Sequence, residues 1–208
     1  EVSSALGQSL VIALATTALS LLVALPAGYA LGDRRFRGPA RALVILVLLL
    51  PILVSPMASV MGIHTRFIVL GLADTLPGVI LVHLIPAVPY ASLILSAAFW
   101  RRSGEPETAA RTLGAGPWRT FFVITLPDLV PSLAVAGFMA FLISWGQYLL
   151  TLVVGGGLVT TLPLLLFSAA SGSDPVLTGA ISLLFALPAL VALPFVLRFV
   201  QQGSGALE

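Results

Sequence analysis

TLPGVILVHLIPAVPYASLILSAAFW, residues 75–100, carries no Asp, Glu, Lys or Arg from end to end. A helix rises about 1.5 Å per residue, so about 20 apolar residues cross the hydrocarbon of a bilayer. This stretch is long enough, and residues 2–32, 42–65, 129–173 and 175–197 are equally free of charge. The chain of 208 residues is 59% hydrophobic and 9% charged, with a mean hydropathy of +1.11. Soluble domains carry about 25% charged residues, so lipid is the expected solvent. The stretch 129–173 is too long for one span and is interrupted at Gly155, Gly156 and Gly157. It is expected to give a span, 129–153, and then a shorter apolar piece, Leu158–Ala170. The runs are continuously apolar and do not alternate, which favours helices over a β-barrel with a polar interior. The expected fold class is an all-α integral membrane protein of about five transmembrane helices, near 5–31, 42–62, 77–100, 129–153 and 176–199.

The remaining charges set the orientation. Arg34, Arg35, Arg37 and Arg41 fall after the first span, Arg101, Arg102, Arg111 and Arg119 after the third, and Arg198 at the end of the fifth. With five spans these lie on one side, and positive charge marks the cytoplasm. The N-terminus is then outside and the C-terminus cytoplasmic. The turn at 34–37 reads as topology and anionic-lipid contact. There is no cysteine and the formal net charge is +2, so disulfides are excluded and nucleic acid is not an expected partner. The first residue is Glu1 and not Met, which reads as an incomplete N-terminus, and Gly203–Glu208 reads as an appended cloning remnant.

The longest polar segment, 103–127, has internal order. Pro106 between Glu105 and Glu107 suits a helix N-terminus, where acids favour the dipole. Gly114 suits the residue just past a helix end. One helix is expected over 105–113 and a second over 117–126, stopping before Pro127. Ala109, Ala110 and Leu113 share a face of the first helix. Such short helices are marginal alone and need a docking surface.

These residues carry a resemblance. Ala109-Ala110-Arg111-Thr112-Leu113-Gly114, then nine residues, then Ile124-Thr125-Leu126-Pro127 resembles the EAA loop of ABC importer permeases. That loop reads Glu-Ala-Ala, three residues, Gly, nine residues, Ile, one residue, Leu-Pro. The chain departs at the motif's Glu, which is Thr108 here. Glu107 stands one place early, a rotation of about 100° on a helix. The resemblance implies a single permease domain, 1–202, in a bacterial inner membrane. It assigns coupling to a cytoplasmic ATPase to Glu107, Thr108, Ala109, Ala110, Leu113, Gly114, Ile124, Leu126 and Pro127. It also implies a second permease subunit, as homodimer or heterodimer, two ATPase subunits that bind ATP and Mg, and an extracytoplasmic solute-binding protein. No cofactor is expected in this chain, which has no phosphate-binding Gly-x-x-x-x-Gly-Lys-Ser/Thr loop. Leu158–Ala170 would be an outer gating helix below the receptor. The substrate group suggested is polyamine, ferric iron, thiamine or oxyanion, with sugars next.

Polar and aromatic groups inside spans are the candidates for the path: His83, Pro86, Pro89 and Tyr90 on the third span, Ser144, Trp145, Gln147 and Tyr148 on the fourth. Interhelical hydrogen bonding competes for His83, and interfacial anchoring for Trp145 and Tyr148. Three rival classes are weaker. A membrane enzyme would need a nucleophile and base buried together, and no Ser sits in a Gly-x-Ser-x-Gly setting within a span. An ion-coupled carrier or channel would usually place a carboxylate within a span, whereas the acids here lie in loops or at ends. A purely structural membrane subunit is the third.

Overall fold

The computed structural model describes residues 1–33, 38–102, 104–172 and 174–204. The basic residues Arg34, Arg35 and Arg37 lie outside the described residues, as do 205–208 of the C-terminal tail. The described chain is built from α1 Val2–Gly32, α2 Pro39–Leu53, α3 Pro56–Val69, α4 Leu76–Arg101, α5 Glu105–Thr112, α6 Pro117–Thr120, α7 Leu126–Trp145, α8 Leu149–Gly155, α9 Leu162–Ala170 and α10 Pro175–Ser204. Among the described residues four helices are long and apolar enough to cross a membrane, or five if α2 and α3 count as one bent span. The fold is an all-α membrane bundle. Lipid cannot satisfy backbone polar groups, so each span meets its own through helical bonds.

The core is a three-helix seam of α1, α4 and α7. Apolar burial gives little drive between helices already in lipid, so close approach of small residues carries the packing. On α1, Ala24, Gly28 and Gly32 repeat every four residues on one face, and all three are buried. Gly28 lies against Leu95, and Gly32 against Phe99 and Ser96. A step of four along α1 is a step of four along α4, so the two spans run parallel. Ala91, Leu95 and Ala136 complete this cluster with Ala24. On α7, Gly137 receives the side chains of Leu21 and Thr17. Gly32, the last residue of α1, closes the α1–α4 contact.

Three expected boundaries are corrected. The second span, expected over 42–62, is two helices bent by 95°. Val54 and Ser55 are extended, and Pro56 opens α3. A residue before proline is pushed out of the helical region, which sets the break. The segment 117–126 does not stop at Pro127. A π-turn, Phe121–Thr125, in which the Leu126 N–H reaches the Phe121 carbonyl, joins α6 to α7 as one apolar helix, Pro117–Trp145. The widened turn accommodates a proline that brings no N–H to the preceding turn. The fourth span, expected over 129–153, ends at Trp145, where Gly146 and Gln147 close a turn onto Leu142 and Ser144 carbonyls. The chain resumes as α8, and Gly156 and Gly157 then turn it at φ +52° and +81°.

Candidate coupling elbow and translocation path

At the arginine-rich end of the bundle, α5 and α6 meet in an elbow at Gly114. The Ala115 N–H bonds the Ala110 carbonyl at 2.9 Å and the Gly114 N–H bonds the Arg111 carbonyl at 3.0 Å. This pair of bonds is a Schellman close, which requires the left-handed backbone that Gly114 adopts at φ +85°. The turn presents apolar groups outward. Leu113 is 88% exposed and Trp118 75%, with the Trp118 ring stacked on Phe122 at 6.2 Å. Ala109 is exposed and Ala110 half-buried; Ile124 and Leu126 are half-buried on the π-turn and the start of α7, and Pro127 is exposed.

The two residues around the motif's glutamate position behave differently. The Thr108 hydroxyl folds back onto the Gly104 carbonyl at 3.0 Å. Glu107 turns toward the bundle. Its carboxylate accepts from the Thr125 hydroxyl at 2.7 Å and pairs with Arg102 at 3.1 Å. The Arg102 guanidinium also meets Asp128 at 2.9 Å and donates to the Thr125 carbonyl at 3.3 Å. Arg102 thus joins the end of α4, the first turn of α5 and the first turn of α7. Behind the elbow lies a cavity of about 350 Å³ walled by Tyr29, Phe99, Arg111 and Phe121 among others. Sequence reasoning took Arg102 as a topology marker only and did not single out Asp128.

The candidate path residues lie along the middle of the bundle and toward the end opposite the elbow, and the structure divides them. His83 is buried, its Nδ1 2.9 Å from Ser144 Oγ and its Nε2 3.0 Å from Thr151 Oγ1. The Thr151 hydroxyl donates to the Gln147 carbonyl at 2.9 Å, so it accepts from Nε2–H, and Nδ1 is left to accept from Ser144. That tautomer satisfies every hydrogen. His83 therefore bridges the break at 146–148 by holding α7 on one side and α8 on the other. Thr151 is the member that sequence reasoning missed, lying in an apolar run that shows no sign of the break.

Trp145 is buried between Phe141 and Phe185, stacked on both at 5.6 and 6.0 Å. Its indole N–H donates to the Phe185 carbonyl at 2.9 Å, one turn before Pro188. It therefore ties α7 to α10. Tyr148 rests on Phe167 of α9 with ring centres 4.6 Å apart. Pro89 is buried and Tyr90 is exposed, so adjacent residues of α4 face different surroundings. The entry to α9 is pinned from α1: Gln8 accepts from the Thr160 N–H at 2.9 Å and Ser9 from the Leu162 N–H at 2.7 Å. These side chains cap a helix whose own Thr161 makes no capping bond. Neither Gln8 nor Ser9 was picked out by sequence reasoning. Among the described residues no three of His, Asp or Glu gather as a metal site.

Comparison with known proteins identifies the family. Residues 17–203 match the family described as binding-protein-dependent transport system inner membrane component. An ABC transporter permease protein of Streptomyces antibioticus is 32% identical over 97% of this chain and 89% of its own length. The molybdate/tungstate permease WtpB of Pyrococcus abyssi is 37% identical over 67% of this chain and 55% of its own. The putrescine permease PotI of Escherichia coli is 29% identical over 90% and 69%. This chain thus spans about half to nine-tenths of the relatives' lengths. A bacterial ABC transporter that imports alginate has a chain of the same fold, with a TM-score of 0.74 at 18% identity over 94% of this chain and 74% of that one. The chain belongs to the binding-protein-dependent transport system inner membrane components, the permease subunits of ABC importers.

Proposed function

We propose that this chain supplies one half of a solute path, paired with a second permease subunit, and that its α5–Gly114–α6 elbow is received by a separate cytoplasmic ATPase. The observation that carries the reading is the elbow. It is an ordered turn exposing Leu113 and Trp118, in the loop whose spacing matches the coupling motif. Large apolar groups exposed on an ordered turn mark a contact surface. Ala109 and Leu113 form its leading face. ATP and Mg belong to two ATPase subunits, and an extracytoplasmic binding protein delivers solute to the other end. Arg41, Arg101, Arg102, Arg111 and Arg119 cluster on the elbow side, which supports a cytoplasmic elbow and an external N-terminus for Val2–Gly32. Substrate choice is assigned to the receptor, since relatives named for molybdate/tungstate, putrescine and trehalose match at 37%, 29% and 33% identity.

At the outer end, α8 and α9 form the gate region, with Tyr148 there and Tyr90 midway along α4 as candidate solute contacts. His83 and Trp145 act as clamps, because their polar atoms are already taken by Ser144, Thr151 and Phe185. Transport requires two states that the nucleotide-driven ATPase binds differently. The test is gentle solubilisation of the complex and identification of co-purifying chains, comparing wild type with Gly114→Asp. An ATPase subunit is expected with wild type and lost with the variant, because a Cβ at φ +85° opposes the turn. A well-folded wild type that brings down no ATPase would sink the reading.

A further inference from the structure

We propose that Arg102, Glu107, Thr125 and Asp128 form a strut that carries movement of the elbow into the ends of α4 and α7, with Glu107 engaged inside the chain and not by the ATPase. The inference rests on the importer reading and deepens it. A docked helix transmits displacement only through rigid contacts behind it. Behind α5 is a cavity of about 350 Å³ and not a packed apolar wall. The polar contacts are what bridge that gap.

Their geometry suits the task. The guanidinium is a planar fork that holds its partners at fixed angles. Its Nη2 takes Glu107 at 3.1 Å and its Nε takes Asp128 at 2.9 Å. The Arg102 side chain is only 13% exposed and that of Glu107 27%, so water screens this pair less than a surface pair. The Thr125 hydroxyl closes the ring onto Glu107 at 2.7 Å. Thr125 is the last residue of the π-turn Phe121–Thr125, and π-turns re-aim side chains at functional positions. One cation thereby fixes the first turn of the elbow to the C-terminal end of α4 and to the first turn of α7.

The departure from the motif supports the same assignment. The residue at the glutamate position, Thr108, is bonded to the Gly104 carbonyl, while the carboxylate one place earlier points about 100° away and into the bundle. Glu107 is a positioning residue on this account, and its loss should separate binding from coupling.

The experiment uses the whole importer in proteoliposomes, with the ATPase that co-purifies with wild type. Glu107→Gln is nearly isosteric and keeps an oxygen acceptor. It is expected to retain the ATPase at wild-type level while solute moved per ATP hydrolysed falls about tenfold, the loss of one charge-assisted contact. Arg102→Lys keeps the charge but has no fork, and should uncouple to a similar degree. Glu107→Gln combined with Arg102→Lys should be no worse than either alone, because both cut the same strut. Loss of the ATPase from folded Glu107→Gln would place the carboxylate at the subunit contact and overturn the proposal. Unchanged solute per ATP, or additive losses in the double variant, would overturn it as well. A wild type without any ATPase would instead bring down the importer reading on which the strut depends.

Discussion

Gly28→Ala tests the seam on which the bundle depends. A Cβ built at Gly28 would stand 2.7 Å from the Leu95 Cβ and 3.1 Å from its carbonyl carbon. Carbon atoms prefer about 3.5–4.0 Å, so α1 and α4 must part by about 1 Å. The obstacle is backbone and a Cβ, which cannot rotate away. A well-packed core forced apart by one methyl loses about 1–3 kcal/mol. Against this, Ala is a better helix former than Gly by about 1 kcal/mol, so the net loss is about 0–2 kcal/mol. Gly7 and Gly179 supply the control, since a Cβ at either meets nothing within 4 Å. Gly7→Ala and Gly179→Ala should be neutral or gain up to about 1 kcal/mol. Thermal or SDS-induced unfolding of the purified chain in detergent measures all three variants in one series. Gly28→Ala should unfold about 1–3 kcal/mol below Gly7→Ala. If Gly28→Ala matches Gly7→Ala, the parallel α1–α4 contact is wrong.

Two further outcomes follow from the residues around the break between α7 and α8. His83→Leu should destabilise by about 2–4 kcal/mol in the same assay, because Ser144 is left buried without its acceptor and Thr151 without its donor; His83→Gln, which can reach one of them, should recover part of the loss, and equal stability for both variants would refute the clamp. Trp145→Phe keeps the stack between Phe141 and Phe185 but removes the bond to the Phe185 carbonyl. It should cost about 1 kcal/mol and raise hydrogen exchange in α10 near Phe185, and unchanged exchange there would show that the indole N–H ties nothing.

The spans α1, α4 and α10 were legible in the sequence because a charge-free run long enough to cross lipid meets its backbone hydrogen bonds most simply as a helix. The elbow was legible because Gly114 and its neighbours carry turn chemistry that depends on local backbone alone. Prolines were not legible in the same way. Pro26, Pro86 and Pro131 sit inside continuing helices, whereas Pro56 opens a helix after a bend of 95°. The residue is the same and the outcome differs, so a proline's identity does not by itself say whether a membrane helix continues through it.

Glycine shows the same dependence on surroundings. Gly137 lies unbroken within α7 while Gly146 ends it, and nothing in the two local sequences separates them. The difference lies across the bundle, where His83 holds Ser144 and Thr151 on either side of the interruption. The buried imidazole holds one hydroxyl on each side of the break, and these partners are 61 and 68 residues away along the chain. Arg102 follows the same logic. It reads locally as a topology charge, and becomes the centre of a network only when the fold delivers Glu107, Thr125 and Asp128 to its guanidinium. The parts of this permease that local chemistry dictates are its apolar spans and the turn at Gly114. The break bridged by His83 and the network centred on Arg102 are written in pairings between distant residues.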